Sequence, residues 1–310
     1  MIKMLPKNLT GSQRSIGIVQ ILISGFCFGF LGLFGKSAFA MGISPGELLS
    51  LRFLLAGLML SIYLFIFARH KLFLKPAAIL WSCALGALGY AVFSFFYFQA
   101  LLGLSVSLTV LLLYTYPVFV ALGGWIFLRE RIPRSRLFVL PTALLGMILL
   151  IWGEFYIKNP WSIALGIAAA AFYAIYILCS RKYLKGVDPL PSVALMQISA
   201  GAILAALNWH DPLRILHVIH LAWLPLLGLA IVCSIGAMSF FLAGLQKLKG
   251  WEASILGTAE PMTSILIAFC LLNERLSLTQ FCGAGLVLVA FIFVSLPTTV
   301  TAAENVYVNQ

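Results

Sequence analysis

Charged side chains are what this sequence has least of. Of its 310 residues, nine are Asp or Glu and 9% are charged at all, where a soluble domain carries about 25%. So few charges cannot cover the surface of a water-soluble fold of this size, which leaves the lipid bilayer as its solvent. The six Cys lack metal-ligand spacing and all fall in apolar segments, so neither a disulfide framework nor a metal centre is expected from them. A Walker lysine motif, a glycine-rich nucleotide fingerprint and a hydrolytic nucleophile motif are missing as well. Their absence argues against ATP-driven pumping by this chain alone, and no cofactor is expected. The alternation of a transmembrane β-barrel is absent too. A run such as Ala164-Leu165-Gly166-Ile167-Ala168-Ala169-Ala170-Ala171 fits packed helices instead.

What the sequence does have is apolar length, with 62% hydrophobic residues. Ten apolar segments bounded by charges, Pro or Gly lie near 16–35, 48–67, 77–101, 105–128, 137–152, 161–179, 191–207, 221–245, 251–272 and 280–296. Most approach the roughly 20 residues an α-helix needs to cross the hydrocarbon core. The fifth and seventh are short, with room to extend by a turn. The first is too long, and too closely followed by others, for a cleaved signal peptide.

The net charge of +11 reports orientation rather than nucleic-acid binding. With the N-terminus in the cytoplasm, the inner segments hold Lys3, Lys7, Arg14; Arg69, Lys71, Lys75; Arg129, Arg131, Arg134, Arg136; Arg181, Lys182, Lys185; and Lys247, Lys249. The outer ones hold Lys36, Lys158, Arg214 and Arg275, and Arg52 falls within the second span. This asymmetry places both termini in the cytoplasm and the chain in the inner (cytoplasmic) membrane.

The chain also repeats itself. Tyr116-Pro117 runs on to Leu128-Arg129-Glu130-Arg131, and Glu260-Pro261 runs on to Leu272-Asn273-Glu274-Arg275. In each copy the proline stands 13 residues before the Glu-Arg pair, and the copies are offset by 144. An earlier echo, Phe26 to Lys36-Ser37 against Phe172 to Lys182-Tyr183, is offset by 146. Five spans per half is an odd number, so the second half enters the membrane from the opposite side. The expected fold is all-α and polytopic, with ten transmembrane helices in two inverted five-helix repeats. Its divisions are a cytoplasmic segment at 1–15, repeats at 16–153 and 161–296, and a cytoplasmic tail at 297–310.

These features resemble the drug/metabolite transporter superfamily, of the EamA type. Leu272-Asn273-Glu274-Arg275 and Ala259-Glu260-Pro261 are similar to that family's second repeat, and Ser50-Leu51-Arg52-Phe53 resembles its arginine-bearing second helix. The resemblance covers about 16–296 and implies transport of small organic metabolites, amino-acid export or that of related compounds foremost, by alternating access. One departure is Tyr116, which stands where the second repeat has Glu260, so the two halves of the site are not chemically equivalent. A lipid or lipid-linked sugar flippase is permitted by the same resemblance. A polytopic membrane enzyme is the other rival; it needs clustered His, Asp or Glu, and only His210, Asp211, His217 and His220 approach that. Those four read better as an interfacial amphipathic turn than as a metal site.

Glu260 is the most informative side chain. A carboxylate in the membrane interior is costly and faces a cavity or a partner; a structural role, a substrate amine and a coupling proton all remain open for it. Pro117 and Pro261 lack an amide donor and disturb the carbonyls of Leu113 and Gly257, as packing kinks or as flexible cavity walls. Tyr114 and Tyr116, beside Pro117, are cavity candidates because a buried hydroxyl needs a partner. Tyr90 and Tyr176, also on spans, join them as substrate-binding candidates. Arg52 either snorkels to the outer interface or anchors a substrate carboxylate. Glu252 reads as a charge at a helix start, Glu130 and Glu274 as helix-end structural residues, and Gly25, Gly29 and Gly32 as a ladder for close helix packing.

Overall fold

A computed structural model describes residues 11–153, 155–208, 212–272 and 277–296. Lys3, Lys7, His210, Asp211, Glu274, Arg275 and the 297–310 tail, each given an expectation above, lie outside the described residues. Apart from an isolated bridge between Leu104 and Ile157, the described regular structure is helical: α1 Gly11–Gly29, α2 Leu31–Ala40, α3 Pro45–Phe67, α4 Pro76–Ala84, α5 Ala91–Leu101, α6 Val106–Leu113, α7 Tyr116–Leu128, α8 Val139–Leu150, α9 Trp161–Tyr183, α10 Pro189–Asn208, α11 Pro212–Gly228, α12 Ala237–Leu245, α13 Gly250–Leu256, α14 Ala259–Leu272 and α15 Leu278–Ser295. Among the described residues, eight helical runs are long and apolar enough to cross a membrane. The segment marked at 137–152 falls short of that length: α8 has 12 residues, entered through a 3₁₀ turn at Arg134–Arg136. The segment at 251–272 is divided between α13 and α14. The seventh segment extends, to Pro189–Asn208.

Local chemistry explains where helices start. Ser44 accepts a hydrogen bond from the Glu47 amide while the Glu47 carboxylate accepts from the Ser44 amide at 2.8 Å, and Pro45 follows at the first helical position. Ser277 and Gln280 repeat the arrangement ahead of α15, and Ser105 caps α6. Two spans carry π-helical turns, Leu85–Tyr90 between α4 and α5 and Leu229–Gly236 between α11 and α12. Such turns insert extra residues and re-aim the helix beyond them.

The principal packing pairs join one half of the chain to the other: α3 with α10, α8 with α15, α1 with α12 and α14, and α9 with α5 and α7. Without a hydrophobic drive between helices in lipid, small residues set the closest approaches. A Cβ on Gly25 would lie 2.7 Å from that of Ala259, and one on Gly29 would lie 2.5 Å from that of Thr263. The ladder stops there. Past the turn at Phe30, Gly32 meets nothing within 4 Å and instead borders a cavity.

Candidate functional site

The site is organised by two broken helices. Pro117 cannot donate a hydrogen bond, and the chain tightens around it: Thr115 N–H reaches the Leu112 carbonyl and Val118 N–H the Thr115 carbonyl. The second break behaves alike. Thr258 N–H turns to the Ile255 carbonyl at 3.1 Å, and Glu260 N–H takes the Gly257 carbonyl at 3.2 Å. The carbonyl of Ser254, which Thr258 would satisfy in a continuous helix, instead accepts the Tyr116 hydroxyl at 2.9 Å. Each break also holds a threonine whose hydroxyl donates back to the carbonyl three residues earlier, Thr115 to Leu112 and Thr258 to Ile255, both at 2.7 Å.

Beside these breaks lies a cavity of about 560 Å³, in the size range of metabolite sites. Glu260, Arg52, Tyr90, Tyr114 and Tyr116 all border it. Glu260 is half-buried, hemmed in by α1 on one side and open to the cavity on the other. Its carboxylate interacts with the Tyr114 hydroxyl and with the charge of Arg52. Among the described residues no direct ion pair joins Arg52 to Glu260.

Arg52 does not snorkel to the interface. It is 4% exposed; its Nε donates to Ser234 Oγ at 2.7 Å, its guanidinium lies 4.7 Å from the centre of the Phe53 ring, and the Tyr90 hydroxyl is beside it. The π turn at Leu229–Gly236 supplies Ser234, so the anchor comes from the opposite half of the chain.

Aromatic rings run without interruption from Arg52 to the helix break. Phe53 meets Tyr90 edge-on at 5.1 Å, Tyr90 meets Tyr176 at 5.5 Å, Tyr176 stacks on Tyr173 at 5.9 Å, and Tyr173 meets Tyr116 at 4.7 Å. Tyr176 is the fully buried member of this row and does not border the cavity; its hydroxyl faces the Met196 sulfur at 3.9 Å. Tyr97, Tyr173, Ser24 and Ser94 border the cavity although the sequence does not single them out as binding residues. A signal exists for one of them. Tyr97 follows Tyr90 by seven residues, a same-face spacing on a helix.

The cavity is open at one end and sealed at the other. Lys36, Phe39, Pro45 and Val106, at the ends of α2, α3 and α6, border its mouth. Past its floor lies a charged seal. Glu130, just beyond α7, accepts from Arg181 Nε and from the Gly250 amide at 2.8 Å, while Arg181 also donates to the Leu245 carbonyl. Glu252 pairs with Arg14 at 2.9 Å and lies 3.9 Å from Arg136. Both arginines donate to the carbonyl end of α15. Burial, with Arg14 alongside, holds the Arg136 guanidinium below its ordinary value, and Glu252 acts in the opposite sense. Glu130 and Glu252 thus tie helix ends together rather than face the cavity. At the mouth side, Glu47 pairs with Arg214 at 2.9 Å. Among the described residues no group of three or more His, Cys, Asp or Glu could hold a metal ion.

Residues 15–152 and 160–296 each match the model of the EamA-like transporter family. An uncharacterized transporter of Bacillus subtilis, YcbK, is 26% identical over 88% of this chain and 90% of its own length. An uncharacterized inner membrane transporter of Salmonella typhimurium, YicL, is 27% identical over 92% and 97%. An uncharacterized transporter of Archaeoglobus fulgidus is 29% identical over 65% and 73%. A solved crystal structure superposes with a TM-score of 0.73 over 90% of this chain and 95% of its own, at 19% identity, a likeness of fold.

Proposed function

Because this chain belongs to the EamA-like transporter family, we propose that it is a secondary transporter that carries a small organic metabolite through the Glu260–Arg52 cavity by alternating access. It is a membrane transporter with several spans; the reading adds the mechanism, the cargo and the direction. Amino acids or closely related compounds are the cargo and export is the direction. The observation that carries the reading is one cavity between the halves of the chain, open beside Lys36 and Val106 and sealed past its floor by Glu130–Arg181 and Glu252–Arg14. A site accessible from one side, with breakable contacts closing the other, is what alternating access requires.

In this reading the spans number ten, counting α8 and the α13–α14 pair, in two inverted repeats with both termini in the cytoplasm of an inner-membrane protein. The packing supports it. Exchanging the halves turns the pair α1–α12 into α9–α5 and the pair α1–α14 into α9–α7, and all four are present. The mouth then faces outward and the charged seal faces the cytoplasm. Pro117 and Pro261 act as flexible cavity walls, and Glu260 exchanges a coupling proton. Glu260 competes between that proton and a basic group on the cargo, which ties the two movements together. The test is flux in proteoliposomes made with the purified full chain, loaded with a radiolabelled panel of amino acids and related metabolites. Saturable, protein-dependent efflux supports the reading, and flux no faster than in protein-free vesicles refutes it.

A further inference from the structure

We infer that the cavity selects a net-neutral zwitterion, holding its carboxylate on Arg52 and its ammonium group on Glu260. The inference rests on the transport reading above and deepens it by fixing the charge class of the cargo and the residue that holds each end.

Three observations converge. First, two opposite charges from different helices, α3 and α14, border the same cavity and interact without forming a direct ion pair. A buried arginine and a carboxylate that close their own bridge leave nothing for a ligand. Here the bridge is open, and a ligand with one charge of each sign completes it. Second, each charge is held by groups that aim it. Ser234 takes Nε of Arg52, Phe53 backs the guanidinium and the Tyr90 hydroxyl lies beside it, so a carboxylate meets guanidinium N–H groups and a hydroxyl donor together. Glu260 has Tyr114 beside it, so an ammonium group meets a carboxylate and a hydroxyl oxygen together. Third, the wall between the two is aromatic, with Tyr90, Phe93 and Tyr173 bordering the cavity and suited to an apolar body. Lys36, also on the lining, stands at the mouth and belongs to the entrance.

The chemistry excludes the half-matched alternatives. An amine lacking the carboxylate reaches Glu260 but leaves the Arg52 guanidinium, 4% exposed, without an anion. An acid lacking the amine does the reverse. The first leaves the buried Arg52 and the second the half-buried Glu260 without its counter-charge, which weakens binding by about tenfold or more.

The experiment has two stages. Proteoliposomes containing the full chain are loaded with a small-molecule extract of cells, and the compounds that leave are identified by mass spectrometry. The zwitterions found, with leucine as a fixed reference, are then compared with their decarboxylated and deaminated analogues (isoamylamine and 4-methylpentanoate for leucine). The expected result is that zwitterions leave at least tenfold faster than either analogue. Arg52→Gln should narrow the gap to the amine alone, and Glu260→Gln the gap to the acid alone. Should those variants fail to fold, Ser234→Ala and Tyr114→Phe, which loosen the same two anchors, should shift selectivity in the same two directions. Efflux confined to net-charged compounds overturns the zwitterion assignment while transport stands. Zwitterion efflux to which both variants respond alike overturns the division of roles. An absence of any efflux removes the transport reading and this inference with it.

Discussion

The Tyr116 hydroxyl donates to the Ser254 carbonyl at 2.9 Å, and this bond ties the broken helix of one half to the broken helix of the other. Tyr116 occupies the place that Glu260 holds in the second copy of the repeat. One copy therefore uses its polar side chain to satisfy a freed backbone carbonyl, and the other presents its polar side chain to the cavity. Removing the hydroxyl should leave that buried carbonyl unmatched, at a cost of about 1–3 kcal/mol. Tyr116→Phe is expected to unfold at a lower temperature in detergent by an amount matching that loss. An unchanged midpoint would mean that water or another donor replaces the tyrosine.

The orientation follows from the distribution of Lys and Arg. In a Cys-free background, Arg134→Cys should react with a membrane-impermeant thiol reagent only from the cytoplasm, and Asn159→Cys only from outside. Both positions are exposed, so failure to label is not expected. The opposite pattern at either site would refute the ten-span topology.

The prolines offer a second test. If the breaks at Pro117 and Pro261 form a moving wall, Pro117→Ala and Pro261→Ala should each slow transport by about tenfold while insertion and yield stay normal. Full flux in the double variant would leave them as packing features.

For the charged seal, Glu130→Gln should weaken the contact with Arg181 and the Gly250 amide. A cysteine at Val110, on the cavity wall, is then expected to become more reactive from the cytoplasmic side in Glu130→Gln than in the parent. Loss of half of this part-buried, hydrogen-bonded ion pair also costs about 1–3 kcal/mol, so thermal stability should fall alongside. Unchanged labelling from the cytoplasm, with the stability loss alone, would assign Glu130 to folding only.

Glu260→Gln separates coupling from folding, since glutamine keeps the size and the hydrogen bonds but carries no proton. Accumulation driven by an imposed pH gradient should vanish in this variant. A response to the gradient equal to the parent's would show that another group couples.

Much of this was legible in the residues, and the gaps have physical causes. The apolar segments mark helices because backbone groups in lipid must bond within the segment. Pro117 and Pro261 mark the breaks because proline lacks the donor that continues a helix, and Glu260, Tyr114 and Tyr116 could be picked out by standing next to them. Arg52's partner could not be read: Ser234 lies in a π turn, where counting by 3.6 residues fails. Tyr176 could not be told from Tyr173, since lipid, neighbouring helices and an apolar cavity wall all accept the same aromatic ring. Gly32 left the packing ladder because the helix turns at Phe30, a change that a three- and four-residue spacing does not reveal.

Arg52 and Glu260 also have an electrical consequence. Moving one charge across the membrane potential is worth about 2.3 kcal/mol per 100 mV. With both groups ionised, the cavity brings equal and opposite charge into that field, and a zwitterion adds none. Only a step in which Glu260 is protonated carries a net positive charge. The voltage across the membrane would therefore act on that one leg of the cycle, and the rate of proton-free exchange should be the same at every membrane potential.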